Sequence, residues 1–97
     1  MHARVTRLEA SPERLDEMTH QFEEQTVPVL KALAGYQGYA LLADRGSGAA
    51  MAVTYWESEE ALRGSDDAVK AERERAAETA EAAAGPTVER YEVVSAS

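Results

Sequence analysis

The sequence predicts an α+β fold of the ferredoxin-like kind, βαββαβ, with one four-stranded antiparallel sheet and both long helices on a single face. Three observations predict it. Hydrophobic periodicity runs strand, helix, strand, strand, helix, strand along 97 residues. Two uncharged runs flank Asp44-Arg45-Gly46-Ser47-Gly48, whose two glycines supply the positive φ that a hairpin loop requires. Gly85-Pro86 ends a long Ala/Glu-rich helical pattern before a last alternating segment.

Each element follows from local chemistry. His2–Glu9 mixes β-branched and polar residues and reads as the first strand; at Ser11-Pro12, serine can cap a helix and proline suits its first turn. Over residues 12–33, Leu15, Met18, Phe22, Thr26, Val29 and Leu33 recur at steps of three or four and form one amphipathic stripe. Pro28 cannot donate to residue 24, so a bend is expected in the last turns. Gly35 stops that helix, and Tyr36–Ala43 and Ala49–Trp56 read as the second and third strands. Ser58 caps a short turn over residues 59–63, and Gly64-Ser65-Asp66-Asp67 restarts a helix with acids in its favourable first turn. That helix runs to about Ala84, with an inward stripe of mostly small residues, Val69, Ala76, Ala80 and Ala83. Residues 87–94 form the last strand, and Ser95-Ala96-Ser97 is a frayed tail.

Composition acts by exclusion. Residues 1–97 are enough for one core and too few for two. Eighteen acidic against ten basic residues, a net charge of −8, oppose binding to a phosphate backbone, so no nucleic-acid partner is expected. No apolar run approaches the roughly 18 residues of a membrane span, and Met1-His2-Ala3-Arg4 lacks the apolar stretch of a signal peptide. A cytoplasmic protein without a membrane partner is the expectation. The absence of cysteine excludes disulfides, thiolate metal sites and cysteine nucleophiles.

Two helices cover only one face of a sheet, and the other should then alternate apolar with polar residues. The second and third strands carry no charge, with Met51, Val53 and Tyr55 on one face and Ala52 and Trp56 on the other. A homodimer through the open sheet face is the simplest cover.

Several segments carry a family likeness: Ala3-Arg4-Val5, Ser11-Pro12-Glu13-Arg14-Leu15, Pro28, Gly35-Tyr36-Gln37-Gly38-Tyr39, the hairpin over residues 41–48, Trp56-Glu57-Ser58-Glu59-Glu60-Ala61-Leu62 and Tyr91-Glu92-Val93-Val94. Together they resemble the antibiotic biosynthesis monooxygenase (ABM) superfamily, whose members are dimeric α+β barrels. The resemblance implies a cofactor-free oxygenase of polycyclic phenols, a haem-degrading oxygenase, or one of the many members with no known reaction. The haem-degrading branch uses a second tryptophan and a histidine on the second long helix. Here Trp56 is the only tryptophan and residues 65–84 hold no histidine, so that branch does not fit. The cofactor-free branch pairs the strand-end tryptophan, matched by Trp56, with an asparagine earlier in the strand; this chain has no asparagine, and Ala52 lies in that neighbourhood.

Trp56 either stacks on a flat aromatic substrate, its N–H orienting an oxygen atom, or serves as a core or interface aromatic. Met18 and Phe22 point from the first helix toward the sheet, and the small stripe of the second helix leaves room for a pocket; with Tyr36 they are the expected substrate-binding residues. Arg73, between Val69 and Ala76, either clamps a phenolate or carboxylate or reaches the rim to pair with Glu72 or Glu78. Trp56 and Arg73 are the catalytic candidates. His20 falls off the apolar stripe and faces water, and His2 is at most a residue of the pocket mouth. No His/acid pair has metal-ligand spacing, the glycines follow no phosphate-loop pattern, and the serines lie at caps, in the hairpin turn or in the tail. Neither a metal nor a cofactor is expected. The functional expectation is a cofactor-independent monooxygenase acting on a small aromatic or polyphenolic compound between sheet and helices; the alternative is a non-catalytic small-ligand-binding or regulatory dimer of the same fold.

Overall fold

The structure, a computed structural model, describes residues 1–79 and 86–97. The elements are β1 (His2–Glu9), a 3-10 turn (Pro12–Arg14), α1 (Leu15–Gln21), a π turn (Phe22–Thr26), α2 (Val27–Lys31), β2 (Tyr36–Ala43), β3 (Ala49–Trp56), α3 (Glu59–Gly64), α4 (Asp66–Thr79) and β4 (Thr87–Glu92). Every strand pairing is antiparallel, in the order β2-β3-β1-β4. This is the ferredoxin-like α+β arrangement that the sequence predicts. The bounds of β1, β2 and β3 match the sequence reading, whereas β4 ends two residues earlier, at Glu92. Ala80 and Ala83 of the small-residue stripe, and the Gly85 end of that helix, lie outside the described residues, as does the side chain of Ala76. Among the described residues no helix is long and apolar enough to cross a membrane.

The first long helix is where the structure adds most. It widens in the turn before Pro28. Pro28 has no N–H, and in the turn before it the backbone bonds change to the i→i+5 pattern, the Val27 N–H donating to the Phe22 carbonyl. One wide turn shifts the phase of the stripe. Leu15 and Thr26 are buried as its 3.6 period requires, but beyond the π turn the deepest burial passes from the expected Val29 and Leu33 to Val27 and Leu30.

The hairpin uses one positive-φ glycine rather than two. Gly48 has φ +85°, and a Cβ there would overlap the carbonyl oxygen of Ala10, whose N–H donates to the Gly48 carbonyl at 2.8 Å. Gly46 needs no such conformation; its N–H bonds the Asp44 carboxylate at 2.9 Å. The expected Ser58 cap is present, its Oγ accepting from the Ala61 N–H at 3.1 Å. Ser11 caps only through its backbone, with no side-chain bond.

Register assigns the faces. Arg90, Arg4, Thr54 and Tyr39 lie in one cross-strand row beneath the helices, and Val88, Thr6, Ala52 and Leu41 in the next. The open face carries the rows Tyr91-Ala3-Tyr55-Gly38 and Glu89-Val5-Val53-Ala40, with Arg7, Met51 and Leu42 beyond. Two core clusters hold the layers together. Ala10 and Leu15 form one at the hairpin end, and Leu30, Trp56, Leu62 and Val69 the other.

Candidate functional site

Between these clusters lies a cavity of about 380 Å³. Its floor is the helix-facing side of the sheet, from Arg4, Thr6 and Leu8 to Ala52 and Thr54. Met18, Phe22 and Thr26 line it from the first helix, and Val69, Glu72 and Arg73 from α4. The wide turn places Phe22 and Thr26 at its two ends, both on the cavity. Phe22 leans on Tyr39 of β2, with ring centroids 5.3 Å apart at 54°. The lining is mostly aliphatic, aromatic and thioether, with its charges on α4, on β1 and at the hairpin, the setting in which a few polar groups orient an apolar ligand.

Met18, Phe22 and Arg73 are thus brought together by the fold. Trp56 and Tyr36 do not line the cavity; they lie on the helix side of the sheet in the core cluster beside it. Trp56 is fully buried, its Nε1–H donating to the Thr54 hydroxyl at 3.0 Å, and the Tyr36 ring meets it edge-on at 5.6 Å. A bulge between Tyr36 and Gly38, where Gly38 adopts φ +151°, puts Tyr36 opposite Trp56 on the helix side; strict alternation would put it on the open face. Burial pushes the Tyr36 phenol above its ordinary pKa. Glu72 is held by Arg75 at 2.9 Å and by the Thr26 hydroxyl at 3.2 Å, and among the described residues Arg73 forms no hydrogen bond or ion pair. His20 is exposed, 3.1 Å from Glu24, as expected.

Arg4 is the residue that sequence reasoning missed. Its side chain is 3% exposed and lines the cavity. Nη2 reaches the Leu62 carbonyl at 2.7 Å, the Ser65 hydroxyl at 2.7 Å and the Asp66 carboxylate, while Nε and Nη1 are buried without a hydrogen-bond partner among the described residues. Its guanidinium lies over the Trp56 ring, 5.7 Å from the centroid. Desolvation draws the Arg4 pKa below its ordinary value against the support of Asp66. Desolvation also raises Asp66, but hydrogen bonds from Arg90 and Arg4, with their charges, outweigh it and hold this carboxyl below the usual range. The signal was in the alternation: Ala3 and Val5 give β1 its apolar open face, which turns Arg4 inward.

Of the usual haem axial ligands, the described lining offers only the thioethers of Met18 and Met51. Among the described residues no His, Cys or Tyr lines the cavity, and no group of three or more His, Cys, Asp or Glu is placed to hold a metal ion.

The antibiotic biosynthesis monooxygenase family model matches residues 1–73, from β1 through Arg73. The chain belongs to this family. Among ABM-fold structures, a monooxygenase of Streptomyces coelicolor, solved with the ligand nanaomycin D, superposes with a TM-score of 0.78 at 17% identity, over 98% of this chain and 88% of that one. MhuD, a haem degrader of Mycobacterium tuberculosis solved with two haems bound, superposes with a TM-score of 0.75 at 24% identity, over 100% and 99%. At these identities the likeness is one of fold. An uncharacterized protein of M. tuberculosis, Rv2558, is 38% identical over 77 residues, which are 79% of this chain and 33% of that protein. A second, Rv2557, is 33% identical over 93 residues, 96% of this chain and 41% of that protein. The ABM chain described here therefore spans well under half the length of these two relatives.

Proposed function

We propose that this ABM chain is a cofactor-independent monooxygenase acting on a small, electron-rich aromatic compound bound between sheet and helices. The observation that carries the reading is the 380 Å³ cavity, which Phe22, Met18 and Arg73 all line. A phenol deprotonated there gives one electron to dioxygen. The resulting radical pair joins through a C–O bond at the activated methylene; the O–O bond then breaks as the remaining C–H proton leaves. One oxygen stays as a carbonyl and the other departs as water, so CH₂ and O₂ become C=O and H₂O with every electron supplied by the substrate. The chain excludes water, holds the ring and stabilises the anion, with Glu72 as the carboxylate among the described lining residues that can take the phenolic proton. Nanaomycin D in the S. coelicolor monooxygenase supports an aromatic occupant.

Oxygen uptake with a reduced anthraquinone precursor tests the reading. The wild type should consume oxygen above the buffer rate, and Arg73→Ala should lose about tenfold or more, the scale of one charge-stabilising group. A wild-type rate equal to buffer overturns it. A non-catalytic ligand-binding dimer is the second reading, favoured by the complete burial of Trp56 and its N–H already given to Thr54. Saturable ligand binding without oxygen uptake distinguishes it.

The proposed assembly is a homodimer through the open sheet face, where Leu42 and Tyr91 stand half exposed beside Met51, Val53 and Tyr55. Sedimentation at micromolar concentration should give twice the 10.5 kDa of one chain, and Val53→Glu should return the single-chain mass. A wild-type particle of single-chain mass refutes the dimer.

A further inference from the structure

We propose that Thr26 is a positioning residue for Glu72: its hydroxyl holds Oε2 of that carboxylate, which leaves Oε1 to accept a hydrogen bond from a hydroxyl group of the bound molecule. This rests on the cavity being a ligand site and names the residue that sets the carboxylate on its wall. Glu72 is anchored through a single oxygen. The Thr26 hydroxyl donates to Oε2 at 3.2 Å, and Arg75 Nη1 donates to the same atom at 2.9 Å. Oε1 has no donor among the described residues and stays accessible on a side chain only 11% exposed, whereas Nε and Nη1 of Arg4 are sealed. Acceptors this deep are normally met, and a carboxylate has room for several donors.

Thr26 uses its proton differently from its neighbour. Thr19, on the same long helix and also on the cavity, returns its hydroxyl to the Leu15 carbonyl four residues back, at 2.9 Å, as helical threonines commonly do. At Thr26 the corresponding carbonyl, that of Phe22, accepts the Val27 N–H of the wide turn, and the hydroxyl crosses to α4 instead. Thr26 is 8% exposed and its branched side chain rotates little, so it is the stiffer of the two anchors. Arg75 is 45% exposed and shares the same nitrogen with Gln25 at 3.2 Å, and an ion pair so exposed fixes geometry weakly. The lining also selects the donor. Arg4, Arg45 and Arg73 stand on the cavity against Glu72 alone among the described residues, so an ammonium is repelled and a neutral phenolic hydroxyl fits.

Fluorescence titration of the protein with 2-naphthol and with its methyl ether, 2-methoxynaphthalene, tests this without turnover. The wild type should bind the phenol about tenfold or more tighter, the scale of one hydrogen bond to a charged group. Thr26→Val, which keeps the shape and loses the hydroxyl, should shrink that gap to about threefold or less, Thr26→Ser should restore it, and Glu72→Leu should abolish it. Circular dichroism establishes folding; Thr26→Ala replaces Thr26→Val, and Glu72→Gln replaces Glu72→Leu, if either is unfolded. A gap unchanged in Thr26→Val, even with both affinities lowered, overturns the positioning role, as does a Thr26→Ser protein that behaves like Thr26→Val. A gap that survives in Glu72→Leu overturns the assignment to Glu72. Wild-type affinities within about twofold of each other, or failure of both ligands to bind, overturn the proposal, and oxygen uptake with the anthraquinone precursor then judges the oxygenase reading on its own. A phenol preference set by Thr26 without oxygen uptake upholds the proposal while the oxygenase reading falls.

Discussion

Asp66→Asn and Arg4→Met remove opposite ends of one ion pair and should differ sharply in cost. Arg4 is 3% exposed, whereas Asp66 is 35% exposed and also bound to Arg90 at 3.0 Å. Removing one partner of a fully buried pair costs about 3–5 kcal/mol, because the other charge is left uncompensated. Here the stranded group in Asp66→Asn is the buried Arg4, but it keeps the Leu62 carbonyl and the Ser65 hydroxyl, and asparagine can still accept one bond. Partial hydration at Asp66 reduces the loss further, to about 2 kcal/mol, or roughly 8–16 °C in Tm for a domain of this size. Arg4→Met strands nothing comparable. Asp66 retains Arg90, the Leu62 carbonyl retains the Ser65 hydroxyl at 2.6 Å, and two unpaired nitrogens disappear, so the loss should stay below about 1 kcal/mol. The acid dependence has a definite sign. The pKa of Asp66 is lower in the folded chain than the 3.8 of the free group, so its contribution is present above that value and is lost as pH falls through the folded pKa. Urea unfolding followed by circular dichroism should therefore show a gap between wild type and Asp66→Asn that is constant from pH 5 to pH 8, as for any carboxylate already ionised there, and that closes below about pH 4. An Asp66→Asn protein within about 0.5 kcal/mol of wild type, or one more stable than Arg4→Met, refutes this account.

Three further outcomes follow from single sites. Gly48→Ala should lose about 2 kcal/mol or more in urea unfolding, since φ is +85° and the new Cβ meets the Ala10 carbonyl. Gly64→Ala should gain about 0.5 kcal/mol by the same measurement, because its φ is not positive, nothing lies within 4 Å of the added carbon and alanine favours helix. Trp56→Phe should lose about 1–3 kcal/mol from reduced volume and the lost bond to Thr54. Tryptophan emission of the wild type, the signal of this residue alone, should be blue-shifted and resist acrylamide; a solvent-like emission maximum contradicts the core placement.

Most of the fold was legible because its signals are local. Two glycine-punctuated strands, a serine cap at residue 58 and a restart at Asp66 each reflect chemistry within a few residues. The candidate site was legible in part. Met18 lies before the wide turn and Phe22 opens it, so their spacing alone places them on the cavity side. Beyond Thr26 the deepest burial leaves the expected stripe, because the wide turn before Pro28 inserts phase that no hydropathy window registers. Tyr36 depended on a bulge, and a bulge is decided by pairing across strands rather than by the residues of one. Arg4 was missed for a related reason: its partners Leu62, Ser65 and Asp66 lie about sixty positions away, and only the closed sheet brings them under it.

The wide turn at Phe22–Thr26 joins two wall segments that answer to different anchors, Leu15 with Ala10 on one side and Leu30 with Trp56, Leu62 and Val69 on the other. Side-chain exchange along this wall resizes the chamber locally. Deleting one residue from the turn would restore uniform winding and rotate everything downstream by about 100°, swinging Leu30 away from the indole. Divergence among chains built this way is thus free in residue identity at the wall and restricted in its length.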